Sequence, residues 1–375
     1  MILTHLRIQN IRNHWQSELE CPPGIILLWG ENGAGKTTVL EAVSLLCTTR
    51  SFVTTADRTL LRRGEESMRA DGVFHSDSGV RHTVGVQVAM RKKIELDNAP
   101  LEAAADLIGR FPVVTLSPQH RAITAGGPAE RRSFMDFVVS QVSRQYLLDL
   151  IEYRRILRHR NALLSDHGHR VHALRAQLEA WDTTLSECAV RITRRRRAFV
   201  VEYDPYFRRA MSDVVEDREL PAFRYVQSAD VDMDAGDAAE QFRAALGHAL
   251  ERDAHRGATS VGPHRDDLEI TLNGMDVRAH ASQGQHKTLL IALKAGEWFF
   301  LNDHLDERPM FLLDDVFSEL DDTRLRRILA VIPRLGQTFI TTANHAILDA
   351  LPGLPDERAL YRVSDGGVHA HAEAA

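Results

Sequence analysis

Residues 30–37 read Gly30-Glu31-Asn32-Gly33-Ala34-Gly35-Lys36-Thr37, the spacing of a phosphate-binding loop. Its glycines let successive backbone N–H groups converge on phosphate oxygens, and the helix that follows adds a favourable field at its N-terminus. Lys36 is expected to reach the β- and γ-phosphates of ATP, and the Thr37 hydroxyl to ligate Mg²⁺, with Thr38 completing the loop. A second segment, Met310–Asp315, ends an apolar run in two carboxylates. Asp314 is expected in the Mg²⁺ shell opposite Thr37, and Asp315 is expected to orient or deprotonate the attacking water.

A third segment, Ser282-Gln283-Gly284-Gln285, opens a helix whose apolar stripe includes Leu289, Leu293 and Phe300. A hydroxyl and backbone amides at a positive helix end form an anion site. The chain already has one phosphate cradle, so the economical use of a second is to grip the γ-phosphate held by another copy. Read alone, the same serine is an ordinary N-cap. Beside the glycine loop and the paired aspartates, Ser282, Gly284 and Gln285 describe an ATP site completed across an ATP-dependent homodimer.

The elements that must hold these residues follow from hydrophobic period. Ile25–Trp29 is apolar enough for a strand buried on both faces, and it leads into the glycine loop. Val39, Ala42, Val43 and Leu46 recur at helical spacing behind it, an amphipathic stripe. Short strands are expected over 68–96, with turn signals at Asp71-Gly72 and Ser78-Gly79, and a further strand at Val113–Leu116. Gly126-Gly127-Pro128 marks a boundary, after which Arg131–Phe199 is helical. Leu150, Tyr153, Leu157 and Leu164 hold one face, and a turn is expected at Asp166-His167-Gly168. Val171, Leu174, Leu178, Trp181, Leu185, Cys188 and Ile192 then alternate spacings of three and four, the seam of an antiparallel helical hairpin.

Ala229–Glu240 reads as an acidic solvated loop. A helix near 240–251, a strand Leu268–Leu272 with a turn at Asn273-Gly274, and the helix 285–300 follow. The strand Phe311–Leu313, a helix near 322–332 and the strand Thr338–Thr342 complete a split α/β ATPase. Its expected division is 1–125 and 211–375 for the two halves of the head, with 126–210 as a helical lobe.

With 375 residues and 44% hydrophobic content, the chain can bury one large domain or two ordinary ones. No apolar run nears the ~20 residues that cross a bilayer, and the N-terminus lacks a signal-peptide layout. Three scattered cysteines form neither a disulfide framework nor a zinc spacing, so a cytoplasmic protein without membrane contact is expected. Residues 151–200 hold eleven Arg against five Asp or Glu, a local +6 in a chain of net charge −6. A basic segment on an acidic body is either a polyanion contact or a solvated helix surface. His167, His169 and His172 lack carboxylate or Cys partners, which favours a solvated loop over a metal site.

Together these segments resemble the ABC-type heads of chromosome-maintenance ATPases, and specifically the RecF family of bacterial recombination mediators. The resemblance extends to Ile8–His14, Leu40–Val43, Arg131–Asp136, Arg160–Leu164, Gly262–Asp267 and Leu313–Asp321, and so spans nearly the whole chain. It implies an α/β, ABC-type P-loop head with an inserted helical lobe. It also implies an ATP-dependent dimer that binds DNA, as duplex or at junctions with a single-stranded gap. RecO and RecR would be partners in loading RecA onto strands coated by single-strand-binding protein. Slow, DNA-stimulated ATP hydrolysis would then release the DNA. Ser318-Glu319-Leu320-Asp321 resembles the loop that lines such a dimer interface. The arginines Arg154, Arg155, Arg158, Arg160, Arg194, Arg195, Arg196 and Arg197 are the expected phosphate contacts on the lobe.

Several positions depart from the pattern. Most of the ABC superfamily has Glu where this chain has Asp315, one methylene shorter, so turnover below about 10 s⁻¹ is expected. His286 and Lys287 follow Gln285 where relatives commonly carry Gln and Arg. The last core strand ends in Thr342, with His345 beyond the usual place of a switch histidine. Gln119 reads as an exposed loop residue in preference to a metal-linked glutamine. Gly262–Asp267 is a salt-bridged turn or a DNA or nucleotide contact. Three rival classes remain: a transporter's ABC subunit, a long-armed chromosome-structuring head, and a non-enzymatic DNA-binding scaffold, which would not need Lys36, Thr37 and Asp314 together. The first gives no reason for the helical insert, and the 276 residues between Lys36 and Leu313 are too few for the second.

Overall fold

The computed structural model describes residues 1–166, 171–214, 219–317, 322–344 and 358–370. The chain forms two compact units: a head of Met1–Arg121, Tyr206–Glu219 and Ser282–Ala375, and a lobe of Ala122–Pro205 and Leu220–Ala281. The chain thus returns to the head at Tyr206, close to the expected 211, but it re-enters the lobe over Leu220–Ala281 before the head resumes at Ser282. The cause is pairing: strand β9 (Pro221–Val226) lies antiparallel to β10 (Asp267–Leu272), and Arg131 binds Asp267 through two 2.9 Å contacts.

In the head, helix α1 (Lys36–Thr48) lies between two sheets, and every residue of it except Thr37 is buried. The expected amphipathic stripe is therefore a helix enclosed on all sides, as two flanking sheets require. The first sheet is antiparallel, with order β2 (His14–Glu20), β1 (Ile2–Ile11), β4 (Met68–His75), β5 (Arg81–Val88), β6 (Lys92–Leu96) and β7 (Ala99–Pro100). Ser78-Gly79 is the expected β4–β5 turn, but Asp71-Gly72 lies inside β4. A Cβ on Gly72 would come within 2.8 Å of Leu46 Cδ1, so this glycine serves the close approach of helix to sheet.

The second sheet runs β15 (Gly367–Ala370), β14 (Arg358–Ser364), β3 (Ile25–Trp29), β13 (Thr338–Thr342), β12 (Met310–Asp314) and β8 (Val113–Leu116), parallel from β14 to β8. Register places Asp314 beside Thr341, and Thr341 beside Leu28 at the end of the strand that feeds the glycine loop. The hairpin β14–β15 has no counterpart in the sequence reading, although its turn, Asp365-Gly366, has positive φ at both residues. The long helix α8 (Gln283–His304) packs beside β8, and α9 (Asp322–Val331) follows β12.

The lobe begins in the short helix α2 (Arg121–Ala125) and continues through α3 (Pro128–Val142), α4 (Arg144–Asp166), α5 (Val171–Val214) and α6 (Ala238–Arg256). A three-stranded sheet, β9–β10–β11 (Met275–Asp276), and the short α7 (Val277–His280) complete it. Pro128 at the first position of α3 and Asn273-Gly274 between β10 and β11 sit where their chemistry belongs. Leu174, Leu178, Leu185, Cys188 and Ile192 are buried along α5, while Trp181 is half-exposed and stacks on His159. The seam is not closed by α4 alone, because Leu164, Leu174 and Leu178 share a cluster with Leu250 and Ala254 of α6. The stretch before α6 is anchored by buried Val231 and Met233, which corrects its reading as a wholly solvated loop. The side chains of Val171, His167, His169 and His172, and the turn after Asp166, lie outside the described residues.

Gly262–Asp267 is an internal turn of the lobe. Tyr225 Oη and Ser228 N donate to Asp266, at 2.6 and 2.7 Å, and Arg132 donates to Asp266 O. A Cβ on Gly262, which has φ 132°, would meet Tyr153 Oη at 2.5 Å. His264 Nε2 donates to Thr259 O at 2.9 Å, and its Nδ1 lies 2.6 Å from Tyr153 Oη. Burial holds this imidazole down to about 4. An unfolded histidine titrates near ~6.5, so below that pH the unfolded chain takes up a proton that the folded lobe refuses. Stability from this group is therefore complete above about pH 6.5 and declines as pH falls toward 4. Between pH 7 and 5 the loss should be about 2 kcal/mol, read as a falling urea midpoint, and His264→Gln should flatten that slope.

Candidate nucleotide site

The glycine loop joins β3 to α1, and its backbone takes conformations that suit glycine at Gly33 (φ 82°) and Gly35 (φ 111°). A Cβ at Gly35 would collide with His14 Nε2, and one at Gly30 with the Val363 carbonyl. Lys36 Nζ donates to the carbonyls of Gly30 (2.7 Å) and Glu31 (2.8 Å). Burial lowers the pKa of this ammonium, against the raising effect of Asp315 and Asp314.

Thr37 Oγ1 donates to Asp314 Oδ1 at 2.8 Å, so the two expected Mg²⁺ ligands are adjacent. Asp314 also accepts from Thr341 Oγ1 at 2.8 Å, and Asp315 N donates to the same hydroxyl at 2.9 Å. Burial raises the Asp314 pKa while the two hydroxyl donors pull it down. A buried carboxylate beside a hydroxyl is an all-oxygen donor set suited to a hard divalent cation. Mg²⁺ held there would neutralise charge between the β- and γ-phosphates. Asp315 has φ 46°, a left-handed conformation that aspartate tolerates better than most residues, and it lines the same cleft of about 400 Å³. Arg12, Asn13, Asn32, Gly33, Gly35, Thr38, Glu41 and Val53 complete the lining.

Asn13 and His14 are among the residues at this site that the sequence did not mark, as are Arg12, Glu41, Val53 and Thr341. Asn13 Nδ2 donates to the carbonyls of Gly33 (3.2 Å) and Ala34 (2.8 Å), and His14 Nε2 donates to Gly35 O (3.0 Å). Three consecutive loop carbonyls are thereby held toward the β1–β2 turn, while the Ala34 amide donates within the loop to Glu31 O at 3.2 Å. Burial lowers the His14 pKa, consistent with a neutral ring that donates from Nε2 and meets Ser17 Oγ at Nδ1. Nothing in residue type alone marks Asn13 as a brace; only the fold brings the β1–β2 turn to the loop. Asn13→Ala should weaken ATP binding about tenfold, the worth of two hydrogen bonds, in a direct nucleotide titration.

Ser282 caps α8: its Oγ accepts from Gln285 N (3.2 Å) and the Gln285 side chain accepts from Ser282 N (2.9 Å). Gln285 Nε2 also donates to Glu219. Ser282 is exposed, and Ser282, Gly284 and Gln285 line no part of the cleft around Lys36. Gln119 is exposed and outside that cleft as well. Thr342 accepts from Asn344 N, whereas His345 and Ser318–Asp321 lie outside the described residues.

The lobe arginines divide. Arg160 and Arg196 are fully buried, which overturns their reading as DNA contacts. Arg160 binds Asp182 (2.8 Å), Asp253 (3.2 Å) and Thr259 (2.9 Å). Arg196 binds Asp136 (2.7 Å), Tyr146 Oη (3.0 Å) and Pro263 O (2.6 Å). The others are at least partly exposed. Arg154 pairs with Asp136, Arg155 with Glu152, Arg195 with Glu202 and Arg197 with Asp234. Arg194 donates to Met233 O and Ala235 O, and among the described residues Arg158 makes only a 3.4 Å bond to Arg154 O.

A glycine loop and an aspartate-tipped strand in a parallel sheet, with a serine-capped helix following the helical insert, define an ABC-type ATPase head of the SMC class. The family model for the RecF/RecN/SMC N terminal domain matches residues 2–362. The DNA replication and repair protein RecF of Chloroherpeton thalassium is 38% identical over 349 residues, covering 91% of this chain and 95% of that protein. That of Prosthecochloris aestuarii is 37% identical over 97% of this chain and 100% of its own length. A solved structure of the recombination mediator protein RecF with ATP, from the RecFOR pathway, superposes with a TM-score of 0.88 at 29% identity, covering 99% and 98% of the two chains. The Smc head of Pyrococcus furiosus shares the fold alone, with a TM-score of 0.56 at 12% identity over 99% and 96% of the two chains. The chain belongs to the RecF family of DNA replication and repair proteins. Among the described residues, no helix is long and apolar enough to cross a membrane.

Proposed function

We propose that this protein is an ATP-dependent DNA clamp. ATP and Mg²⁺ bind at Lys36, Thr37 and Asp314, and the signature residues Ser282, Gly284 and Gln285 of a second copy close on the γ-phosphate. The dimer holds duplex DNA or a gap junction in the cytoplasm and, with RecO and RecR, helps load RecA. Slow hydrolysis assisted by Asp315 then ends the DNA contact. The observation that carries this reading is the exposure of Ser282 at a helix N-terminus outside the cleft that its chemistry would complete. Of the lobe arginines, Arg158 is the best placed to add a phosphate contact, since its one hydrogen bond among the described residues is long.

Sizing the protein with ADP, with ATP, and with ATP plus duplex DNA tests the reading. A dimer is expected only with ATP and should be favoured further by duplex. A monomer under all three conditions would sink it. Turnover should stay below about 10 s⁻¹, an ordinary enzyme value, with or without DNA.

A further inference from the structure

Most of the arginines expected to meet DNA are neutralised within the lobe, whereas the head carries a different set. Arg50, Arg58 and Arg63 are exposed, and their guanidinium groups make no ion pair or hydrogen bond among the described residues. Asp57, the only acid in residues 50–63, is paired with Lys92 at 2.9 Å. Glu65, just beyond, is occupied in part by Asn10 Nδ2 at 3.1 Å. Residues 50–63 thus carry four arginines against one acid, with Glu65 and the exposed Glu66 just beyond them.

The same segment is bonded to the nucleotide cleft at several points. Ser51 Oγ donates to Glu41 Oε1 (2.6 Å), the carboxylate that also takes both arms of Arg12 (2.6 and 2.8 Å), and Val53 lines the cleft. Arg12 N donates to Leu60 O (2.7 Å), and Arg62 N donates to Asn10 O (3.0 Å). Arg62 Nη1 donates to Asn13 O at 2.7 Å. Asn13 in turn donates to the Gly33 and Ala34 carbonyls of the glycine loop.

We propose that Arg50, Arg58 and Arg63 contact the phosphate backbone of duplex DNA, and that Arg62 and Asn13 link this contact to the glycine loop as positioning residues. The proposal rests on the DNA-clamp reading above. Phosphates that fix the segment also fix Arg62, which steadies Asn13 and with it the Gly33 and Ala34 carbonyls of the glycine loop. Duplex DNA then raises ATP affinity, and by reciprocity ATP raises DNA affinity by the same factor.

The test is DNA and ATP titration of the full chain. For Arg50→Gln/Arg58→Gln/Arg63→Gln, each lost phosphate contact should lower the slope of log affinity against log salt by about 0.9, so the slope should fall by two to three. Its melting temperature should match that of the parent, because all three side chains are exposed. Saturating duplex should tighten ATP binding in the parent protein and in Arg62→Lys, which keeps a donor, but not in Arg62→Met. If the parent binds no duplex with ATP present, the clamp reading falls and takes this proposal with it. A parent that binds duplex, with an unchanged slope in the triple variant or full coupling in Arg62→Met, overturns this proposal alone.

Discussion

The Ser282→Arg protein should bind ATP as tightly as its parent, within about twofold, yet stay monomeric with ATP and duplex DNA at concentrations where the parent pairs. Its own glycine loop is untouched, because Ser282 lies outside the cleft that holds Lys36, Thr37 and Asp314. The Ser282 hydroxyl accepts a bond from Gln285 N, but its own proton donates to nothing among the described residues. That proton is free for a γ-phosphate oxygen brought by a second copy, and a long guanidinium side chain would fill the space such an oxygen needs. The folding cost is confined to one helix cap, roughly 1 kcal/mol. Ser282→Ala separates the two roles: it loses the same cap but leaves the space open, so pairing should weaken about tenfold, the worth of one charge-assisted hydrogen bond, without vanishing. Sedimentation with ATP checks both variants. ATP-dependent dimers of Ser282→Arg would show that the serine is only a cap.

The nucleotide motifs were legible because their chemistry is local. A glycine loop needs a strand before it and a helix after it, and a metal-bound carboxylate needs a strand end, so spacing and hydrophobic runs suffice. Thr341 was not legible as a partner of Asp314, because the contact depends on the parallel register of β12 and β13 across 27 residues of sequence. Asn13 was hidden for the same reason, since the β1–β2 turn reaches the loop only after the antiparallel sheet has formed over α1. The extent of the lobe was missed because its second half, β9 to α7, is joined to the first by long-range pairs such as Arg131 with Asp267, which no local period records.

The misreading of the arginines is different, because the signal was present. On α4, Tyr153, Ile156, Arg160 and Leu164 recur at spacings of three and four, so the buried face runs straight through Arg160. On α5, Ile192, Arg196 and Phe199 continue the seam in the same way. Charge count placed all eight arginines in one class, whereas helical phase divides them into a core pair and a surface set. Phase was the better guide, because an arginine at a core phase must carry its own counter-charges with it.

Arg196→Met should therefore destabilise the lobe by about 3–5 kcal/mol, the usual cost of leaving one member of a buried ion pair without its partner. Asp136 is the group left behind. It would keep Arg154, which is half-exposed, and the Tyr146 hydroxyl at 2.5 Å, but would lose both contacts from the buried guanidinium. Pro263 O would lose its 2.6 Å donor as well, loosening the Gly262–Asp267 turn that Tyr153 and Tyr225 hold from the other side. The methionine stem replaces most of the apolar volume, so the cost is electrostatic and not a cavity. Arg196→Met/Asp136→Leu removes both charges and should recover much of the loss, giving a coupling energy of about 1–3 kcal/mol in a urea double-mutant cycle. DNA affinity of Arg196→Met measured well below its melting temperature should keep the parental salt slope, because no phosphate contact has been removed. A lower slope with unchanged stability would return Arg196 to the DNA surface and overturn its place in the core.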